Sequence, residues 1–214
     1  MYVQLIASTP EPEIICGVAA MVCQHADEAL SNVGEEYDRD RLIKLCMKCK
    51  NAGHLSVFEH ASFTFLISGI SRVCSHQLVR HRLASYTQAS QRANISDGTG
   101  YIVPSTIPDI ATLTYSHHCE NAVALYNVLV SDGVPQEDAR FVLPQAFTTS
   151  IVVTMNAREL LHFLELRLCN RAQWEIRDLA NEMKKYAEEK FPLLFEDAGP
   201  GCNQCKNKCK EEQC

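Results

Sequence analysis

The sequence predicts a chain built of both strands and helices. Segments 2–8, 62–68 and 147–155 carry the short alternating or β-branched patterns of strands. Longer segments repeat apolar residues at helical spacing, and the two kinds of segment are interleaved along the chain instead of being segregated. The 214 residues can bury a substantial core, and 46% hydrophobic with 21% charged residues is the balance of a folded soluble chain. We expect one domain over 1–198 and a Cys-rich tail over 199–214.

The elements follow in order. Tyr2 to Ser8 alternates loosely and reads as an opening strand closed by Thr9-Pro10. A helix begins near Pro12, since Pro is tolerated in a first turn, and sets Ile14, Ile15, Val18, Ala19, Val22 and Cys23 on one face. Asp38 to Lys50 forms a second helix ended by Asn51-Ala52-Gly53, where Gly accepts the left-handed cap conformation. Ser62 to Ser68 alternates small polar with large apolar side chains, a strand that Gly69 is expected to break. Ile70, Val73, Cys74 and Leu78 then recur at helical spacing, with Arg72, His76 and Arg80 at i, i+4 on another face. That helix delivers Arg80-His81-Arg82 at its C-terminal end, where the dipole favours cations. Ser85 to Arg92 reads as a loop, Ser96 to Gly100 as a turn, and Tyr101 to Pro104 as a short apolar segment.

Ile110 to Ser131 is a long helix, scaffold or subunit contact, and Gln136 to Leu143 a short one between Pro135 and Pro144. Phe147 to Met155 is a largely buried strand. Asn156 caps the next helix, whose stripe is Ala157, Leu160, Leu161, Leu164 and Leu168, with Arg158, His162 and Glu165 on the opposite flank. Arg167 lies only about 20° from Asn156 on the helical wheel, at the edge of the apolar stripe, where a charge needs a partner or a ligand. Trp174 to Lys190 is the last helix, stopped by Phe191-Pro192.

Composition excludes several function classes. A net charge of −6 argues against a general nucleic-acid binder, so any phosphate site is local. No apolar run approaches the roughly 20 residues that span a bilayer, and the first ten residues lack the basic and apolar regions of a signal peptide. No membrane contact and a cytoplasmic location are expected. Eleven Cys cannot all pair within one chain, and those at 16, 23, 74, 119 and 169 sit among apolar residues, where reduced thiols behave as small hydrophobes.

The segment most informative about chemistry is Arg80-His81-Arg82-Leu83-Ala84-Ser85-Tyr86-Thr87-Gln88-Ala89-Ser90-Gln91-Arg92. Cations beside a run of hydroxyls and amides suit phosphate binding, because Arg presents a planar fork of donors that Ser, Thr and backbone N–H groups complete. Its bland alternative is a solvated basic turn. His54, Glu59 and His60 suggest metal ligands, but the helical His pair spacing of zinc sites is missing, and no metal is assigned. Cys202, Cys205, Cys209 and Cys214 fit either a zinc site, with Cys46 and Cys49 as a further pair, or a reduced tail.

The spacing of Arg80-His81-Arg82 and Ser90, with Arg92 two residues on, resembles the signature of the flavin-dependent thymidylate synthases. Three further elements resemble the same family: Gly53-His54-Leu55-Ser56-Val57-Phe58-Glu59-His60, then Ala139-Arg140-Phe141-Val142-Leu143-Pro144, then Asn156-Ala157-Arg158 through His162 and Arg167 to Arg177. Together with Ala19-Ala20-Met21-Val22-Cys23 they span positions from about 19 to 177 in the family's order.

The resemblance implies an α/β fold with a mixed or antiparallel sheet flanked by helices, and active sites shared between subunits of a homotetramer. It implies reductive methylation of dUMP to dTMP, with methylenetetrahydrofolate as carbon donor, FAD as hydride carrier and NADPH or NADH as reductant. By resemblance the dUMP phosphate falls to Arg80, Ser90, Arg92 and Arg140, with Gln88 also on the substrate, where the family commonly has Glu. Flavin contacts fall to His54, Ser56, Glu59, His81, Arg82, Leu83, Asn156, Arg158 and His162. Arg167, against the uracil ring, is the catalytic cation. A nucleotide-binding homologue without flavin and a zinc-stabilised interaction protein are the competing classes.

Overall fold

The computed structural model describes residues 1–24, 26–27, 38–91 and 100–201. Four strands form one sheet: β1 (Tyr2–Ser8), β2 (Ser62–Ser71), β3 (Ala84–Gln88) and β4 (Thr148–Asn156), in spatial order β1-β2-β4-β3. The sheet is antiparallel. Its register is legible from side chains: Thr64 meets Thr154 at 2.9 Å and Ser68 meets Ser150 at 2.8 Å, hydroxyl to hydroxyl, so residue numbers rise on β2 as they fall on β4.

Alternation explains which face each strand buries. Phe63, Phe65 and Ile67 of β2, and Ile151, Val153 and Met155 of β4, point to the core, while the paired hydroxyls lie on the other face. Gly69 does not end β2, contrary to the sequence expectation. It takes φ +71°, a left-handed conformation that costs glycine nothing for want of a Cβ, and the strand continues to Ser71. β3 is the second departure, a strand where a loop was expected. It lacks large aliphatic residues, so no buried face marked it in the sequence. What makes it a strand is pairing with β4, which runs on into the bond from Ala89 N–H to Ser150 C=O at 2.8 Å.

The helix bounds lie close to expectation, with two corrections: Ile70, expected on the helix before Arg80, lies in β2, and the first helix buries Cys16, Ala20 and Met21 while Ile15, Val22 and Cys23 of its expected apolar face are exposed. In chain order they are α1 (Pro12–Gln24), α2 (Arg39–Asn51), α3 (Arg72–Leu78), α4 (Asp109–Ser131), α5 (Gln136–Ala139), α6 (Ala157–Arg167), α7 (Trp174–Lys190) and α8 (Pro192–Phe195), with 3-10 turns at Leu55–His60 and Arg140–Val142. The short helix expected over Gln136 to Leu143 is therefore one α turn followed by a tighter one. Asp38 is the N-cap of α2, its carboxylate accepting from Arg41 N–H at 3.1 Å. Gly53, at φ +72°, follows α2 as expected.

Backbone contacts group the chain into two compact units, each discontinuous in sequence. The first contains Met1–Tyr2, Ile67–Arg80 and Tyr86–Val152; the second contains Val3–Leu66, His81–Ser85 and the chain from Val153. In the second unit α1 crosses α2 at Gly17, where a Cβ would stand 2.5 Å from the carbonyl oxygen of Leu42, so only glycine permits this approach. Phe63 packs edge-on against Phe195 at 5.5 Å between centroids, and Phe191 stands 6.2 Å from both Phe58 and Phe195. Lys50, from the last turn of α2, donates to Leu193 C=O at 2.8 Å and ties α2 to α8.

Cys16, Cys74 and Cys119 are buried as expected, whereas Cys23 is exposed near the end of α1. Cys46 and Cys49 are buried free thiols. The four tail cysteines, the turn at Ser96 and the candidate phosphate ligand Arg92 lie outside the described residues.

Candidate active site

The second unit holds an arrangement that begins with a buried histidine. α3 ends at Leu78, Val79 caps it, and the chain turns through Arg80 into Arg82. The turn drives the middle residue inward: His81 is 4% exposed while Arg80, Arg82 and Leu83 are exposed. The His81 ring meets Phe163 edge-on at 4.9 Å between centroids and His162 at 5.8 Å. Its Nε2 accepts a hydrogen bond from Arg167 Nε–H at 3.1 Å, and its Nδ1 stands 3.5 Å from Glu159 Oε1. Burial, with Arg167 and His162 adding to it, pushes the His81 pKa down to about 4, so the ring is neutral at physiological pH.

Helix α6 supplies the rest of this group because of where it starts. Asn156 leaves β4 in an extended conformation, and its Oδ1 accepts from Glu159 N–H at 2.8 Å. That cap aligns the first turn so that Glu159, Phe163 and Arg167 follow one another at i, i+4 along one flank. Glu159 and Phe163 are buried there, and Arg167 is half-buried. The cap uses the Asn156 side-chain oxygen and leaves its amide nitrogen for any ligand. On the other flank Arg158 pairs with Glu59, an exposed ion pair of the kind that contributes about 0–1 kcal/mol and is exchanged cheaply for a ligand contact. His54, Ser56 and His162 are exposed in the same unit.

The first unit holds the other set. Gln88 donates through its amide to Ser75 Oγ at 2.8 Å and to Thr149 Oγ1 at 3.4 Å, which orients the end of β3. Ser90 is exposed two residues on. Arg140 donates Nε–H to Glu137 C=O at 3.0 Å, and Phe141 beside it is 83% exposed. Arg72 joins this unit. Its Nη2 donates to Ala89 C=O at 3.2 Å, while its Nε is buried with no hydrogen-bond partner among the described residues. Burial, and next the charge of Arg140, lower the Arg72 pKa, as expected of two cations facing one region.

The sequence candidates thus divide between the units, with the neighbours Arg80 and His81 assigned to different ones. Arg80, Gln88, Ser90 and Arg140 lie in the first; His54, Ser56, Glu59, His81, Arg82, Leu83, Asn156, Arg158, His162 and Arg167 lie in the second. Sequence reasoning missed Glu159 and Arg72. The row Arg72, His76, Arg80 was a visible signal for the latter. Nothing local distinguished Glu159 from a solvated helix residue. Among the described residues, no group of three or more His, Cys, Asp or Glu side chains is placed to hold a metal ion. Nor is any described helix long and apolar enough to cross a membrane.

The chain matches a solved UMP/dUMP methylase from Streptomyces cacaoi, bound with 5-Br dUMP, at a TM-score of 0.77 and 26% identity, covering 91% of this chain and 93% of that one. Its relatives place the protein among the methyl-transfer enzymes. A family model described as thymidylate synthase complementing protein matches residues 4–193. A flavin-dependent thymidylate synthase of Geobacter sulfurreducens is 47% identical over 94% of this chain and 88% of its own length. One from Sulfurisphaera tokodaii is 41% identical over 99% and 83%. The chain belongs to the family of flavin-dependent thymidylate synthases.

Proposed function

We propose that the protein methylates dUMP reductively to dTMP, taking the one-carbon unit from methylenetetrahydrofolate and the hydride from NADPH or NADH by way of FAD. The observation that carries this reading is the half-buried Arg167 guanidinium, held through Nε by a neutral histidine, in a chain whose family handles flavin and thymidylate. A uracil C5 becomes nucleophilic enough to take a one-carbon unit only if negative charge on the ring is stabilised. A fixed cation does this without reorganising as the charge develops.

The other roles follow from donor chemistry. Arg80, Ser90 and Arg140, with Arg92 from the resemblance, bind the dUMP phosphate, and Gln88 orients the strand end that precedes Ser90. Arg72 joins them, because a dianion offsets the repulsion between Arg72 and Arg140 and gives the buried Arg72 Nε–H an acceptor. A flavin dinucleotide falls to the second unit: Arg82 and Arg158 are exposed cationic donors, His54, Ser56 and His162 are exposed ring N–H or hydroxyl donors for a diphosphate, and Leu83, 65% exposed, offers an apolar surface for a ring. Glu59 holds Arg158, and the Asn156 amide donates to the cofactor. When bound, the flavin supplies hydride transfer, which no side chain of this protein performs. His81 differs from the rest of that set in being buried, so it contributes from behind Arg167.

The homotetramer and the cytoplasmic location belong to the same proposal. Its test is the visible absorption spectrum of purified protein, before and after adding FAD and again after dUMP. Flavin bands that shift on adding dUMP, with dTMP formed once folate and reductant are present, are expected. Protein that retains no flavin, or flavin bands indifferent to dUMP, overturns the reading. Ser90→Ala is expected to weaken dUMP binding about tenfold, the loss of roughly one hydrogen bond to a charged group, while turnover at saturating dUMP persists. Lost turnover with unchanged affinity would instead assign Ser90 to chemistry.

A further inference from the structure

Arg167 Nε–H can only donate, since a guanidinium has no acceptor. Its bond to His81 Nε2 therefore requires that nitrogen to be unprotonated, and the neutral ring must carry its proton on Nδ1. Nδ1 is the atom that faces Glu159 Oε1 at 3.5 Å. A carboxylate accepts from N–H and repels a lone pair, so Glu159 favours the one tautomer that lets His81 hold Arg167. Glu159 is itself buried, on the same flank of the helix as Phe163.

We infer that Glu159 is a positioning residue: it sets the Nδ1–H tautomer of His81, which fixes the Nε–H edge, and hence the plane, of the Arg167 guanidinium. The order Glu159, His81, Arg167 is a three-membered chain from carboxylate to imidazole to cation. It does not touch the reacting atoms except through its last member. Phe163 and His162 brace the imidazole edge-on, so the ring cannot turn to offer Nδ1 to Arg167 without losing both contacts. The opposite tautomer would set Nε2–H against Arg167 Nε–H, donor against donor, and release the guanidinium.

The tautomer can be read without ligand or turnover. In protein labelled with 15N-histidine, two-bond 15N–1H correlation spectra distinguish Nδ1–H from Nε2–H, and the spectrum of His81→Asn assigns the His81 peaks. Wild type is expected to show Nδ1–H. Glu159→Gln, whose side-chain carbonyl dipole can still face Nδ1–H, is expected to keep it, together with kcat within about threefold of wild type. Glu159→Ala is expected to shift the ring toward Nε2–H and lower kcat about 30-fold, with flavin content unchanged; these factors follow from a misplaced transition-state donor. Nε2–H in wild type, or Glu159→Ala that leaves tautomer and kcat unchanged, overturns the inference. Should Glu159→Ala fail to fold, the wild-type spectrum and Glu159→Gln still decide it. The inference rests on the proposed role of Arg167 at the uracil ring. Failure of that reading appears separately, as flavin bands indifferent to dUMP in a protein whose His81 still carries Nδ1–H.

Discussion

At the scale of single residues, the chemistry turns on a histidine that stays neutral. The His81 pKa is about 4 in the folded protein and about 6.5 when unfolded. The unfolded state therefore binds more protons between these values, and stability rises with pH through that window. The contribution is fully present above pH 6.5 and is lost as pH falls toward 4, by at most about 3 kcal/mol. Urea unfolding at pH 7 and pH 5 is expected to show this loss in wild type and a smaller one in His81→Asn. Equal losses would place the pH dependence elsewhere. Arg167→Lys keeps the charge but has no planar Nε–H to give His81. A fall in kcat of about 100-fold is expected, near that of Arg167→Ala, with dUMP affinity better retained by Lys than by Ala.

At the scale of elements, the strongest constraint lies where α1 crosses α2. Gly17→Ala would put a methyl group 2.5 Å from the Leu42 carbonyl oxygen, which backbone alone can relieve. Overpacking of this kind costs about 2–3 kcal/mol, and a thermal midpoint lowered by several degrees without change in flavin content is the expected result. Asp38→Ala removes the cap of α2 and is expected to cost about 1 kcal/mol. Glycine at 17 looked unremarkable in the helical pattern, because a residue with no side chain leaves no periodic signal. Its reason is the neighbouring helix.

At the scale of the whole molecule, α4 leaves Ile110, Leu113, Leu125 and Val128 exposed, and these lie within an arc of about 120° on the helix. Ile110 is 93% exposed. Apolar side chains gathered on one arc of a long helix suit association between copies, which the proposed homotetramer requires. Replacing Leu113 and Val128 together by Glu is expected to shift sedimentation from tetramer to smaller species. A tetramer unaffected by both changes would move the subunit contact to another face.

The sequence by itself determined the mixed α/β class, most helix and strand bounds, the cap at Asn156 and the family, because these depend on residue periodicity and on short motifs that carry their own chemistry. It also marked Arg167 as a charge needing a partner, from its place at the edge of an apolar stripe. Only the tertiary structure decided which partner that was. His81 and Arg167 are 86 residues apart, and the contact exists because the turn after α3 is folded against the buried flank of α6. The same packing buried Glu159, which sequence alone could not separate from the exposed Arg158 before it. Pairing with β4 likewise made a strand of residues 84–88, which carry no run of large aliphatic residues to mark one. Burial and long-range pairing are set by what the rest of the chain brings to a residue, and that is not written in its neighbours.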